Sequence, residues 1–169
     1  MLTVDKLIPR GRGLARALLA RAAHVALDWD TRSKSRFDAT DSAGRHLGVF
    51  LPRGQVVRGG DVLVAEDGSL IRVDAAPQPV TVVRARADAP LDLLRAAYHL
   101  GNRHVPLEVG ADHLKLERDH VLAAMLRAMH LVVVDEVSAF EPEAGAYAGG
   151  GHAHAAHGHH DAHGHDHGQ

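Results

Sequence analysis

The side chains best suited to chemistry in this chain are histidines. Of its 169 residues, 15 are His, and eight of these fall in the last 21 positions. They read His152-x-His154, His157-x-His159-His160 and His163-x-His165-x-His167, with Gly, Ala, Asp161 and Asp166 between them. Imidazole ligates late first-row divalent metals near neutral pH. It suits nickel, copper, zinc and cobalt and does not favour magnesium or calcium. Glycine and alanine let the backbone fold around an ion at little steric cost, and the two aspartates add oxygen donors. Free imidazole titrates near pH ~6.5, so such a segment takes metal at pH 7 and releases it as the pH falls. Ordering a loose segment costs entropy, and its sites overlap, so labile capture of several ions is expected of it.

Seven histidines lie outside that segment. His24, His46 and His113 stand in strand or turn context and read as ordinary surface residues. His99 and His104 bracket the end of a helix in the stretch Tyr98-His99-Leu100-Gly101-Asn102-Arg103-His104, and His120 opens the next helix. Three such residues from one chain fall short of a closed metal site. A two-fold interface between identical chains would double each ligand.

Other chemistries have little support. With no Cys, disulfides, iron–sulfur clusters, thiolate zinc sites and a Cys nucleophile are excluded. There is no Walker A sequence, GxSxG, HExxH or strand-linked GxGxxG. Arg10-Gly11-Arg12-Gly13 precedes no phosphate-binding lysine and reads as a flexible segment. Glu141 and Glu143 flank Pro142 as an exposed turn. The body from Met1 to Ala148 holds 19 basic and 19 acidic residues, a formal charge of zero. That balance, with only six aromatic residues, argues against a nucleic-acid partner. No apolar run approaches the roughly 18–20 residues that span a bilayer, and the N-terminus lacks a secretory h-region. A soluble cytoplasmic protein is expected.

The elements that must position these residues form an α+β chain in three parts. Residues 1–76 read as a small all-β domain of short strands and turns. Asp28 to Thr40 alternates as one strand, with Arg32, Lys34 and Arg36 on a shared charged face that could meet a partner. His46 to Leu51, Val62 to Ala65 and Leu70 to Val73 are further strands, the last two joined through an Asp-Gly turn. Leu14 to Ala26 has helical propensity, and its second half reads as strand. Ala75 to Pro79 marks the boundary, since paired prolines do not suit a central strand.

Residues 77–148 then follow the order β-α-β-β-α-β, a ferredoxin-like domain. Val80 to Ala87 is a strand. Asp88 caps a helix from about Leu91 to Leu100 with Leu91, Leu94 and Tyr98 along one face. Leu107 to Val109 and His113 to Glu117 are strands. Asp119 caps a second helix with Leu122, Met125, Leu126 and Met129 on its apolar side, and Leu131 to Val134 is the last strand. Phe140 to Tyr147 leaves the core, and residues 149–169 form a disordered His/Gly tail.

Four stretches carry a family resemblance. They are Leu51-Pro52-Arg53-Gly54 with Gly60-Asp61-Val62-Leu63; Tyr98 to Leu107, with Gly101-Asn102-Arg103-His104 at its centre; Asp119-His120-Val121-Leu122 with Met125-Leu126; and Phe140-Glu141-Pro142-Glu143-Ala144-Gly145-Ala146-Tyr147. In this order, ahead of a His-rich tail, they resemble the UreE family of urease accessory proteins, which are nickel chaperones. The resemblance implies an N-terminal β domain that binds a protein or peptide partner, and a C-terminal metal domain that forms a homodimer. It implies that His104 of each subunit meets at the interface to hold one Ni²⁺ as cargo, with His99 a less certain ligand. His120 matches a second-helix histidine that some members pair with another two positions earlier. Arg118 stands at that position here, so this secondary site is incomplete. The tail matches a variable extension that concentrates metal. Zn²⁺, Cu²⁺ or Co²⁺ can occupy such ligands, with Cu²⁺ the tightest. The implied partners are the accessory GTPase UreG and the apo-urease maturation complex, and the implied activity is metal transfer, not enzymatic catalysis. A metal storage or detoxification protein is the alternative that the tail alone would suit.

Overall fold

The computed structural model describes residues 1–144. The eight histidines from His152 to His167, and Gly145 to Tyr147 of the fourth stretch, lie outside the described residues.

The N-terminal unit is a six-stranded sheet. Its strands are β1 (Leu2–Ile8), β2 (Ala23–Leu27), β3 (Arg36–Thr40), β4 (His46–Phe50), β5 (Val62–Ala65) and β6 (Leu70–Ala75). They lie in the order β2-β6-β5-β1-β4-β3. The β1–β4 and β2–β6 pairs are parallel, and the other pairs are antiparallel. The two edges nearly meet: the Ser42 amide donates to the His24 carbonyl at 2.7 Å, and the His24 amide to Ser42 Oγ at 3.0 Å. Inside, Val4, Val25, Leu47, Val49, Leu63, Ile71 and Val73 form one buried cluster. Asp41 closes the β3–β4 turn from a fully buried side chain, accepting from the Ala43 and Arg45 amides and from Arg45 Nε.

Sequence pattern alone assigns no strand at β1, although it is central. Its alternation breaks at Asp5, where Val4 opposes Ala65 and Lys6 opposes Val64. The bulge resets the phase, so Leu2, Val4 and Leu7 all reach the core despite their uneven spacing.

Asp28 to Thr40 is not one strand. Asp28 accepts from the Thr31 amide at 2.9 Å and caps a helical turn, α2 (Trp29–Arg32). The expected charged face of Arg32, Lys34 and Arg36 therefore does not exist. Arg32 is wholly buried, Lys34 pairs with Asp30 at 2.6 Å, and only Arg36 stands on β3. In the preceding segment, α1 (Arg16–Arg21) is followed by β2, as the split reading of Leu14 to Ala26 expects.

The second unit is a four-stranded antiparallel sheet with two helices. Its chain order is β7 (Pro77–Arg84), α3 (Leu91–Asn102), β8 (Glu108–Val109), β9 (Leu114–Glu117), α4 (His120–Ala128) and β10 (Val132–Ala139). The strand order is β10-β7-β9-β8. Pro77 and Pro79 lie within β7, against the expectation that paired prolines do not suit a central strand. They occupy the end that pairs with β10 only, since β9 begins its pairing at Val80, so their missing N–H groups cost no ladder on that side.

Asp88 does not cap α3. The N-cap is Pro90, already helical at φ −63° and ψ −25°, while Asp88 pairs with Arg86 at 3.3 Å. Asp119 does cap α4, accepting from the Val121 and Leu122 amides, and these bonds hold its carboxyl below the usual range. Leu122, Met125 and Met129 pack against the core cluster that includes Leu126.

The expected apolar face of α3 is real, and it faces outward. Ala96 and Leu100 are buried, whereas Leu91, Leu94 and Tyr98 are 61%, 67% and 66% exposed. Phe140 also departs from expectation. It stays in the core, fully buried against Val80, Val82 and Trp29, with the two aromatic rings edge to face at 6.2 Å.

Candidate metal centre

His104 stands where α3 ends. The Val105 amide bonds back to the Leu100 carbonyl at 3.2 Å, and the His104 amide to Gly101 at 2.9 Å. These two bonds define a Schellman cap, with Leu100 and Val105 supplying its customary apolar contact in the core. The residue at the turn of this cap is usually glycine, because φ must be positive. Here it is His104, at φ +57°. The turn holds the imidazole out from the helix end, exposed.

α4 ends in the same way. Leu131 N–H reaches the Leu126 carbonyl at 3.2 Å, His130 N–H reaches Arg127 at 3.0 Å, and His130 has φ +64°. Nothing in the sequence pattern marks His130. A left-handed histidine is therefore a shared capping device here and does not by itself mark a ligand.

The surroundings of His104 distinguish it. It lines a pocket of about 320 Å³ with Arg103, Val105, Pro106, Glu117, Arg118, Asp119 and Leu122. Glu117 and Asp119 are the oxygen donors in that wall. One oxygen of Asp119 already caps α4, and Arg118 is tied to Asp135 at 3.2 Å. The two guanidinium groups of the wall oppose a cation, so a divalent ion there depends on good ligands from elsewhere.

The other candidates are not gathered around it. His99 is exposed on α3, its ring edge-on to Tyr98 at 5.5 Å. His120 is exposed at the start of α4 and lines no part of the His104 pocket. Among the described residues no group of three His, Asp or Glu side chains could hold an ion. A single exposed imidazole supplies one metal–nitrogen bond and leaves the remaining positions to other ligands. No helix among the described residues is long and apolar enough to cross a membrane.

The second unit contacts the first through its last described residues. Glu141 accepts from the buried Arg32 at 2.7 Å and from the Gly59 amide at 2.9 Å. Its side chain is 34% exposed, so Glu141 departs from the exposed turn expected for it, while Glu143 is exposed as expected. Burial pulls the Arg32 guanidinium below its ordinary value, and the Glu141 charge pulls it back.

Comparison with known proteins addresses the chain along nearly its whole length. The profile of the UreE urease accessory protein N-terminal domain matches residues 4–76, and that of the C-terminal domain matches residues 78–167. The urease accessory protein UreE of Albidiferax ferrireducens is 69% identical over 156 residues, 91% of this chain and 90% of that protein. Its counterpart in Methylibium petroleiphilum is 72% identical over 149 residues, covering 87% and 69% of the two chains. That of Verminephrobacter eiseniae is 63% identical over 163 residues, covering 95% and 97%. With both domains matched in order and identities this high, the chain belongs to the UreE urease accessory protein family.

Proposed function

We propose that this protein is a nickel metallochaperone that serves urease maturation as a homodimer, with Ni²⁺ as cargo and not as a resident cofactor. The observation that carries the reading is the placement of His104. It stands exposed at the C-terminal cap of the helix whose outer side carries the exposed apolar stripe of Leu91, Leu94 and Tyr98. A second copy seated on that stripe would cover it and bring a second His104 near the first. Two-fold symmetry then supplies paired imidazoles that the isolated chain lacks. Such a site keeps open coordination positions, as transfer by ligand exchange requires. His99, one turn back on α3, is a second candidate ligand, and His120 with Arg118 two residues before it is a weaker one.

Family membership supports the accessory role in urease assembly, and ligand chemistry supports nickel over magnesium or calcium. The recipients in this reading are the accessory GTPase UreG and apo-urease, in the cytoplasm. The protein performs no covalent step. The His-rich segment favours a second reading, a metal store or detoxification protein, in which that segment and not His104 holds the ion.

Calorimetry at neutral pH tests the first reading. His104→Ala should abolish the tight nickel site while leaving weak binding, and should abolish nickel transfer to apo-urease. An unchanged tight site in that variant would sink the assignment.

A further inference from the structure

Phe140, Glu141, Pro142 and Glu143 run as a strap between the two units. On the N-terminal side, Arg32 is the anchor. Its Nε donates to the Leu27 carbonyl at 3.0 Å and its Nη1 to Val57 at 3.4 Å, both within the β unit. The rest of the fork grips the strap: Nη2 donates to the Phe140 carbonyl at 2.6 Å and Nη1 to Glu141 Oε1 at 2.7 Å. Arg58 adds a bond to the Pro142 carbonyl and a contact to Glu141 Oε2 at 3.5 Å. Gly59 lets the strap approach. A Cβ there would lie 2.9 Å from Glu141 Oε1, the oxygen that accepts its amide.

On the other side the same strap holds the segment just after His104. The Glu141 amide donates to Glu108 Oε2 at 2.6 Å, and the Glu143 amide to the Leu107 carbonyl at 2.6 Å. Lys115 fixes the other oxygen of Glu108 at 3.0 Å and the Ala139 carbonyl at 2.9 Å. Between His104 and Leu107 stand only Val105, half-buried against the core in the helix cap, and Pro106, whose φ is fixed by its ring. His104 is therefore held at both ends, by α3 before it and by the strap after it.

We propose that Arg32 and Glu141 are positioning residues that set the His104 turn from the N-terminal unit through Glu108 and Leu107, an inference that rests on His104 being the nickel ligand. A planar guanidinium suits this task because it bonds four acceptors in two directions, which an ammonium on a flexible stem does not. A partner that turns the N-terminal unit then bears directly on the residue that must release the ion.

The full-length protein tests this through Glu141→Ala, Glu141→Gln and a control, Val25→Ala, which opens the β-unit core without removing a bond to the strap. Two quantities are read: the rate at which a chelator strips nickel from the tight site, and the His104 amide and ring resonances of the metal-free protein. Glu141→Ala should raise the nickel dissociation rate about tenfold, the lower end of the effect of removing an outer-shell partner, and should shift the His104 resonances. Glu141→Gln keeps an acceptor for Arg32 and Gly59 and should recover part of both. Val25→Ala should change neither. Unmoved rate and resonances in Glu141→Ala, or equal changes in Val25→Ala, overturn the proposal. If Glu141→Ala does not fold, the His104 resonances of Glu141→Gln decide it alone, a shift supporting it and none overturning it. If His104→Ala leaves the tight site intact, the nickel reading falls, while the resonance shifts still report whether the strap sets the turn.

Discussion

At the residue scale, the two helix-capping histidines make a controlled pair. Each holds a positive φ that costs a non-glycine residue about 1 kcal/mol. Replacing either by glycine should therefore stabilise the fold by about 1 kcal/mol, read by urea denaturation. Their functional outcomes should differ: His104→Gly should lose the tight nickel site, and His130→Gly should keep it. A strained residue retained at a functional position is a familiar trade of stability for activity.

Asp41 tests the acid side. Burial works to raise its pKa, but bonds from the Arg45 amide and side chain and the Ala43 amide outweigh it and hold the carboxyl below the usual range. A depressed folded pKa stabilises above the unfolded value of about 3.9 and is lost as the pH falls through the folded one. Asp41→Asn should cost about 1–2 kcal/mol at pH 7, with the gap to wild type shrinking below about pH 4 in urea titrations.

At the scale of elements, α3 carries the clearest prediction. Its apolar stripe of Leu91, Leu94 and Tyr98 is more than half exposed, an unusual state for three large side chains on one helix face. Leu94→Asp should convert the proposed dimer to monomer by light scattering without unfolding the chain, and should lower the nickel affinity proposed for His104. A variant that stays dimeric would place the interface elsewhere. Periodicity found this stripe correctly but could not say which way it faced. An apolar face is the same signal whether it meets the chain's own core or a second chain. The bulge at Asp5 hid β1 for a different reason, because it shifts by one the alternation that marks a half-buried strand. Asp28 hid α2, since a capping side chain and a strand residue look alike until the Thr31 amide is seen to bond to it.

At the scale of the whole molecule, the two units act as one through Arg32, Trp29, Phe140 and Glu141. Truncation before Gly149 should leave a dimer that binds about one Ni²⁺ per dimer and supports urease activation, with the loss confined to weak, labile ions. Loss of nearly all nickel binding on truncation would favour the storage reading.

The sequence by itself determined much of this protein. The absence of Cys and the abundance of His restricted the metal chemistry to imidazole and carboxylate ligands. The 3.6- and two-residue periods located most of the strands and both long helices, because those periods report which side chains are apolar within one element. Spacing left His99, His104 and His120 as a trio, and only the family resemblance carried by Gly101-Asn102-Arg103-His104 pointed to one of them. Only the tertiary structure decided where Arg32 goes, that Phe140 remains in the core, and that the turn holding His104 is tied through Glu141 to the N-terminal unit. Arg32 and Glu141 are separated by most of the chain, and nothing in the pattern around either residue encodes the other. A half-buried ion pair between distant segments exists only once both are folded, since its partner is chosen by packing and not by spacing.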